Sequence, residues 1–371
     1  MKKFLSALLI AGIFFIGANV HAEDNSEEKF LLSNQKAEEA LKLFNLGDYN
    51  SAIKLYSEAI DFNPDNATAY LWRGISRTGA NQFRSAIEDY NKALQLKPDN
   101  IEAYFNRAAT YRHLRQFKRA IQDYDKIAAL KPDYVEVYIQ RAATYRQLNQ
   151  HEKAIQDYDK VLELNPDSAQ IYFNRANTFC EAEQYERAIE DYDKVIASEP
   201  NYQTYYNRGL TYRHLNQCER AIEDYNKALE LNPKSAAVYN SRAGAYRHLN
   251  KNKQAIRDYS RAIDFNPHSA QYYYNRGATY DELKKYGRAM EDYNMAIKLN
   301  PKSATAYNSR AVLYHKSKKY RQAIDDCTKA IENNPNHFNA YHLRGLCYKA
   351  LGDDKKAQAD FDKAKELGYK D

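Results

Sequence analysis

The nine prolines of this 371-residue chain stand at Pro64, Pro98, Pro132, Pro166, Pro200, Pro233, Pro267, Pro301 and Pro335. Each step is 34 residues, except for one of 33 between Pro200 and Pro233. A fixed period of this size means that one supersecondary unit is stacked many times, each covering the apolar face of its neighbour. Such a chain has no single thick core, and its stability is a sum over adjoining units.

Within the unit running from Tyr104 to Pro132, apolar and small residues recur at helical spacing twice. Tyr104, Ala108 and Tyr111 form one face of a first helix, and Ala120, Ile121, Tyr124 and Ile127 one face of a second. The pattern breaks at about Leu114 to Phe117. Pro132 ends the unit, because proline removes a backbone donor and pushes the residue before it out of the helical region. The unit is therefore a helical hairpin. An alanine recurs in the second helix of all ten units, from Ala52 through Ala120 to Ala357. Opposite it stands a small residue, such as Ala108, Ala142, Gly209 or Gly345, so the paired helices approach closely. Glycine costs roughly 1 kcal/mol relative to alanine inside a helix, so its use there points to tight packing.

These columns resemble the tetratricopeptide repeat family, on the aromatic Tyr104, the small Ala108, Tyr111, Ala120, Tyr124 and the terminal Pro132. The same register runs from about Ser33 to the C-terminus. The resemblance implies an all-α fold, a right-handed superhelical solenoid of about ten helix-turn-helix repeats over 33–371. Their ends fall near 66, 100, 134, 168, 202, 235, 269, 303, 337 and 371. It also implies a concave groove lined by the first helices. Carried onto this chain, that groove takes Phe105, Ile139, Phe173, Tyr206 and Tyr274 as aromatic or aliphatic anchors. Beside them lie the amides Asn106, Asn174, Asn207 and Asn275, and towards the other end Arg112, Arg146, Arg213, His214, Arg247 and His248. Amides offer a donor and an acceptor for an extended backbone, and arginines fork onto carboxylates. The expected partners are extended or helical segments of other proteins with acidic and aromatic or aliphatic residues. Glu181, and Asp281 with Glu282, interrupt the basic strip and divide it into sectors.

The chain opens with Lys2 and Lys3, an apolar run from Phe4 to Val20, and Val20-His21-Ala22. That order reads as a secretory signal peptide over 1–22, cut after Ala22, with a polar leader over 23–32. The protein is then periplasmic or secreted and keeps no stable membrane span, and an uncleaved anchor is the alternative. Cutting removes two lysines from a chain of formal charge +6 and brings it close to balance. A nucleic-acid binder carries a larger, clustered excess, so none is expected as partner.

Two charged columns run through units two to ten, arginine from Arg73 to Arg344 and aspartate from Asp89 to Asp360. The first unit has Glu39 and Leu55 in those places. Pairing between units would strand Arg73 and Asp360, whereas pairing inside each hairpin strands neither, so the second is expected. The first hairpin departs from the pattern as a terminal cap does. The last helix exchanges two apolar column positions for Gln358 and Lys365, which suits an end that nothing covers.

No motif for catalysis, a cofactor or a metal is found. His113, His214 and His248 share one column, but equivalent places in stacked helices lie on the order of 10 Å apart, too far to converge on one ion. Cys327 and Cys347 fall in adjoining helices of units nine and ten, and either a disulfide or two buried thiols fits them. An interaction scaffold is the leading function, a homotypic array joined end to end the alternative, and an enzyme is not expected.

Overall fold

The computed structural model describes residues 26–369, so the signal-peptide reading of 1–22 lies outside the described residues. Within them the chain is twenty helices and no strand. Helix α1 spans 26–45 and α2 Tyr49–Phe62; first and second helices then alternate to α20, Asp354–Glu366. The polar leader expected over 23–32 is helical from residue 26, so α1 begins about two turns before the later first helices do. Ser33 explains how α1 is held: its buried hydroxyl donates to the Ala59 carbonyl at 2.7 Å and accepts from Asn66 Nδ2 at 2.9 Å.

Each first helix stops on a residue in the left-handed region, among them Gly47, Asn81, Arg115, Lys284 and Gly352. In the third hairpin, made of α5 (Ile101–His113) and α6 (Phe117–Leu130), the Gln116 amide then donates to the Tyr111 carbonyl at 2.8 Å. This closure satisfies carbonyls that the helix end would leave bare. The second helix stops one residue before proline: Lys131 N–H donates to the Ile127 carbonyl, and Pro132 follows. The short step after Pro200 is absorbed in the connection between α10 (Tyr185–Ser198) and α11 (Tyr202–His214). There Asn201 adopts an extended backbone, and its side chain accepts from the Thr204 amide at 2.9 Å.

The helices form two units, one ending at Ala182 and the other beginning at Glu183. The division falls inside the fifth hairpin, between α9 (Ala169–Glu181) and α10. In both units the second-helix tyrosines, among them Tyr90, Tyr124, Tyr225 and Tyr259, are buried to 2% exposure or less and form the core with the alanine column. Glycine is required where a ring leans close: a Cβ on Gly209 would stand 2.7 Å from Tyr225.

The charged columns lock this packing. Arg107 donates from Nε and Nη2 to both carboxylate oxygens of Asp123, at 2.8 and 2.6 Å, within its own hairpin. The same fork joins Arg73 to Asp89, Arg141 to Asp157, Arg208 to Asp224, Arg242 to Asp258, Arg276 to Asp292, Arg310 to Asp326 and Arg344 to Asp360. Pairing inside the hairpin is thus as expected. The third arm is a further finding: Arg107 Nη1 reaches back to Asn91 of the preceding hairpin at 2.6 Å, and Arg141 Nη1 reaches Asp125 at 2.6 Å. Each arginine also lies over the tyrosine three residues before it, as Arg107 does over Tyr104 at 5.4 Å.

At the C-terminal end, Gln358 and Lys365 are exposed, as the cap reading expects. Burial pushes the Asp123 carboxyl above its ordinary range, against the pull of Arg107. Arg107→Met leaves nothing to oppose that burial, and stranding one member of a buried pair costs about 3 kcal/mol. A carboxyl with a raised folded pKa favours the fold when protonated, so its contribution is lost as pH rises through that pKa. The deficit of Arg107→Met is therefore expected to be full at pH 7 and to shrink as pH falls. Chemical denaturation of both proteins at several pH values checks it; a deficit independent of pH would contradict the stranded-acid account.

Candidate peptide-binding face

The first helices present their polar columns beside one another, 34 or 35 positions apart in adjoining hairpins, and several side chains meet across that step. Asn275 Nδ2 donates to Asn240 Oδ1 at 2.9 Å, and the Tyr206 hydroxyl lies 3.3 Å from Ser241 Oγ. The basic strip is partly spent in the same way. Arg146 donates from Nε and Nη2 to the two carboxylate oxygens of Glu181 at 3.0 and 2.6 Å, and Arg247 from the same two nitrogens to one oxygen of Glu282 at 2.9 and 2.5 Å. Two of the acids that interrupt the strip, Glu181 and Glu282, are therefore partners of arginines one hairpin earlier, and the third, Asp281, accepts from Lys316 of the next hairpin at 2.9 Å. These hydrogen bonds hold both guanidiniums above their ordinary pKa.

The aromatic anchors are not free either. Phe105, Tyr206 and Tyr274 are half-buried, with ring centroids 6.0, 6.1 and 5.9 Å from Tyr124, Tyr225 and Tyr293. They offer an edge rather than a whole ring. Ile139 packs against the core, and Phe173 and Asn207 are half-buried. Asn106 bonds the Glu102 carbonyl, and Asn174 accepts from Gln170. His214 is exposed but stacks on Tyr185 of the preceding hairpin, at 5.0 Å and 7° between planes.

Four expected residues do converge in the second unit. Arg213, Arg247, His248 and Asn275 line a polar cavity of about 640 Å³ with Asn240, Gly244, Tyr259, Gln271 and Glu282. Among the described residues Arg213 has no acidic partner within ion-pair distance. Its guanidinium lies against Gly244, with Nη1 3.5 Å from where a Cβ would stand, and next to the Tyr225 hydroxyl. The Tyr225 ring that carries it is buried. In the first unit, Arg112 and Arg146 line a cavity of similar size with His113, Ala143, Phe117 and Gln147. Arg112 there donates to Gln140. Tyr259 and Gln271 escaped notice in the sequence because one reads as core and the other as a solvated helix start. Their common signal is the 34-residue column, which places each against the arginine strip.

Among the described residues no helix is long and apolar enough to cross a membrane, and no group of His, Cys, Asp and Glu could hold a metal ion. The fold and this face define an all-α protein of stacked helical hairpins with a polar first-helix surface. Profiles described as "TPR repeat" match residues 40–77, 80–114, 142–181 and 244–284. Profiles described as "Tetratricopeptide repeat" match 101–134, 169–202, 202–235, 270–303 and 304–337, and also 224–257 and 327–359. The chain belongs to the tetratricopeptide repeat family, whose arrays are in general interaction scaffolds rather than enzymes.

Solved structures that it resembles include the crystal structure of MamA, at 25% identity over 45% of this chain and 91% of that one, with a TM-score of 0.42. YrrB, described as a TPR protein with an unusual peptide-binding site, is 24% identical over 50% of this chain and 97% of its own, with a TM-score of 0.43. A tetratricopeptide repeat protein from Parabacteroides merdae is 23% identical over 70% and 99%, with a TM-score of 0.48. No curated protein matches the chain.

Away from this face, Cys327 and Cys347 are wholly buried in one cluster with Ala311, Ala323 and Leu343. They are free thiols, not a bridge. Burial raises both, Cys347 to about 11, so little thiolate forms at neutral pH. Alkylation at pH 8 is expected to spare both in the folded chain and to reach both on unfolding without reductant. Mass spectrometry of the two samples checks this; protection that persisted in the unfolded chain would mean a disulfide.

Proposed function

We propose that this protein is an exported scaffold that holds an acidic, extended segment of another protein along the first-helix face. The observation that carries this reading is the polar cavity of the second unit, where Arg213 has no acid of its own among amides and hydroxyls able to bind a peptide backbone. An arginine fork fits a carboxylate in two hydrogen bonds, and the neighbouring Asn240 and Asn275 supply both donors and acceptors. The half-buried edges of Tyr206 and Tyr274 suit an aromatic or aliphatic neighbour of that acid. The homotypic end-to-end array is favoured by the exposed Phe30 and Leu31 at the start of α1, but the opposite end is polar, at Gln358 and Lys365.

Export rests on the basic, apolar and small-residue order of 1–22. N-terminal sequencing of the protein from its producing cells is expected to begin at Glu23, outside the cytoplasm; an intact Met1 in the cytoplasmic fraction would end the export reading. Selection of displayed peptides on the purified chain is expected to enrich acidic sequences with aromatic or aliphatic neighbours. Arg213→Glu should weaken them at least tenfold at an unchanged Tm, because hydrogen bonds to a charged group are worth about 1.5–3 kcal/mol. Arg247 is left in place, since its loss would strand Glu282. An absence of enriched peptides, or equal binding by the variant, counts against the groove.

A further inference from the structure

The two cavities share one plan. Arg112, Arg146 and Glu181 in the first unit are followed three hairpins later by Arg213, Arg247 and Glu282 in the second. The arginine column carries Thr78, Cys180, Asp281, His315 and Lys349 elsewhere, so the arginine pair marks these two places. The geometry repeats as well. In each, the second arginine donates to the acid of the next hairpin, Arg146 to Glu181 and Arg247 to Glu282. Gln170 donates to Asn174 at 3.0 Å, and Gln271 to Asn275 at 2.8 Å. Beneath the first arginine of each pair lies a buried tyrosine with its hydroxyl next to the guanidinium, Tyr124 under Arg112 and Tyr225 under Arg213.

One difference separates the twins. Arg112 is occupied by Gln140, whose amide oxygen accepts from Nη1 while its nitrogen donates to Glu136 at 2.7 Å. Ser241 stands in the corresponding place of the second unit and turns to the Tyr206 hydroxyl instead. It carries a hydroxyl on Cβ where glutamine carries a further methylene and the amide group, and it leaves Arg213 open.

We propose that Arg112 and Arg213 are the centres of twin carboxylate sites, one in each unit, and that the residue at 140 or 241 sets how strongly each binds. A partner's glutamate or aspartate forks onto the first arginine. The second arginine, already matched to its own acid, keeps the cavity polar without adding an open cation. This deepens the peptide-groove reading and rests on it for the source of the carboxylate. A chain so built takes two acidic side chains, and the second unit takes its one more tightly.

The test follows the arginine Nε–Hε signals of the full chain by nuclear magnetic resonance while N-acetylglutamate is added, with inorganic phosphate as a separate arm. The Arg213 signal is expected to shift saturably, and that of Arg112 at about tenfold higher concentration, because a hydrogen bond to a charged group must first be given up. Gln140→Ser should tighten the Arg112 site about tenfold, and Ser241→Gln should weaken the Arg213 site by the same factor. Thermal melts confirm that each variant folds. Equal shifts at the exposed Arg84 and Arg257, swaps without effect, or a stronger response to phosphate would each overturn the proposal. Saturable Arg213 shifts in a chain that selects no peptides would keep the twin sites and remove the peptide scaffold. Peptides that bind without moving either arginine would do the reverse.

Discussion

The three-armed arginine is what the stack depends on. Two arms hold an aspartate of the same hairpin, and one reaches the hairpin before, as Arg107 does with Asp123 and Asn91. The plane of the guanidinium rests on a tyrosine of its own helix. Lysine could supply the charge but not this planar fork. Because the aspartates are buried, a slip of one turn between the two helices of a hairpin would leave a carboxylate with no partner inside the protein. The apolar columns alone are less particular, since alanine and tyrosine rows one turn apart look alike to a neighbouring helix. The ion pairs therefore serve register as much as stability, a role for which buried polar groups are well suited.

A stack held from within leaves its first-helix surface free to differ from hairpin to hairpin. The column occupied by Arg112 runs through threonine, arginine, cysteine, aspartate, histidine and lysine. None of these changes disturbs the alanine and tyrosine rows beneath. What they change is which charges face outward and which are consumed by the next hairpin. Glu181 and Glu282 neutralise one arginine each, so local pairing, not net charge, decides where an anion finds an open cation.

Much of this was legible in the chain. The proline period, the alanine column and the paired charges lead to hairpins whose turns fall at about Leu114 to Phe117, against a second helix that starts at Phe117, and whose ion pairs close inside each unit. The polar exchange at Gln358 was legible too, and that side chain is exposed. Other features were hidden because they depend on how one hairpin sits on the next. The Asn91 and Asp125 column looks like a solvated helix face until the third arginine arm is seen to reach it. Glu181 reads as a break in a basic strip until its offset places it on Arg146. Phe105 and Tyr206 sit at positions that face outward by periodicity, yet their rings are long enough to lean back onto Tyr124 and Tyr225. The helical start at residue 26 was masked by its polar composition, which suits a solvated first turn as well as a frayed leader.

The contrast between the two cavities shows how little separates an open site from a closed one on such a scaffold. Arginine, tyrosine and acid recur three hairpins apart, and in both places the second arginine meets the acid of the next hairpin. The deciding group is the side chain that lies across the step, a glutamine long enough to cap a guanidinium in one unit and a serine too short to do so in the other. A repeat protein can thus tune its sites one residue at a time without touching its core. The same residue type in the same column, Arg112 or Arg213, is then engaged by an amide or left without one according to a neighbour on the adjoining hairpin. Reading columns in isolation misses this; reading them in pairs offset by one hairpin recovers it.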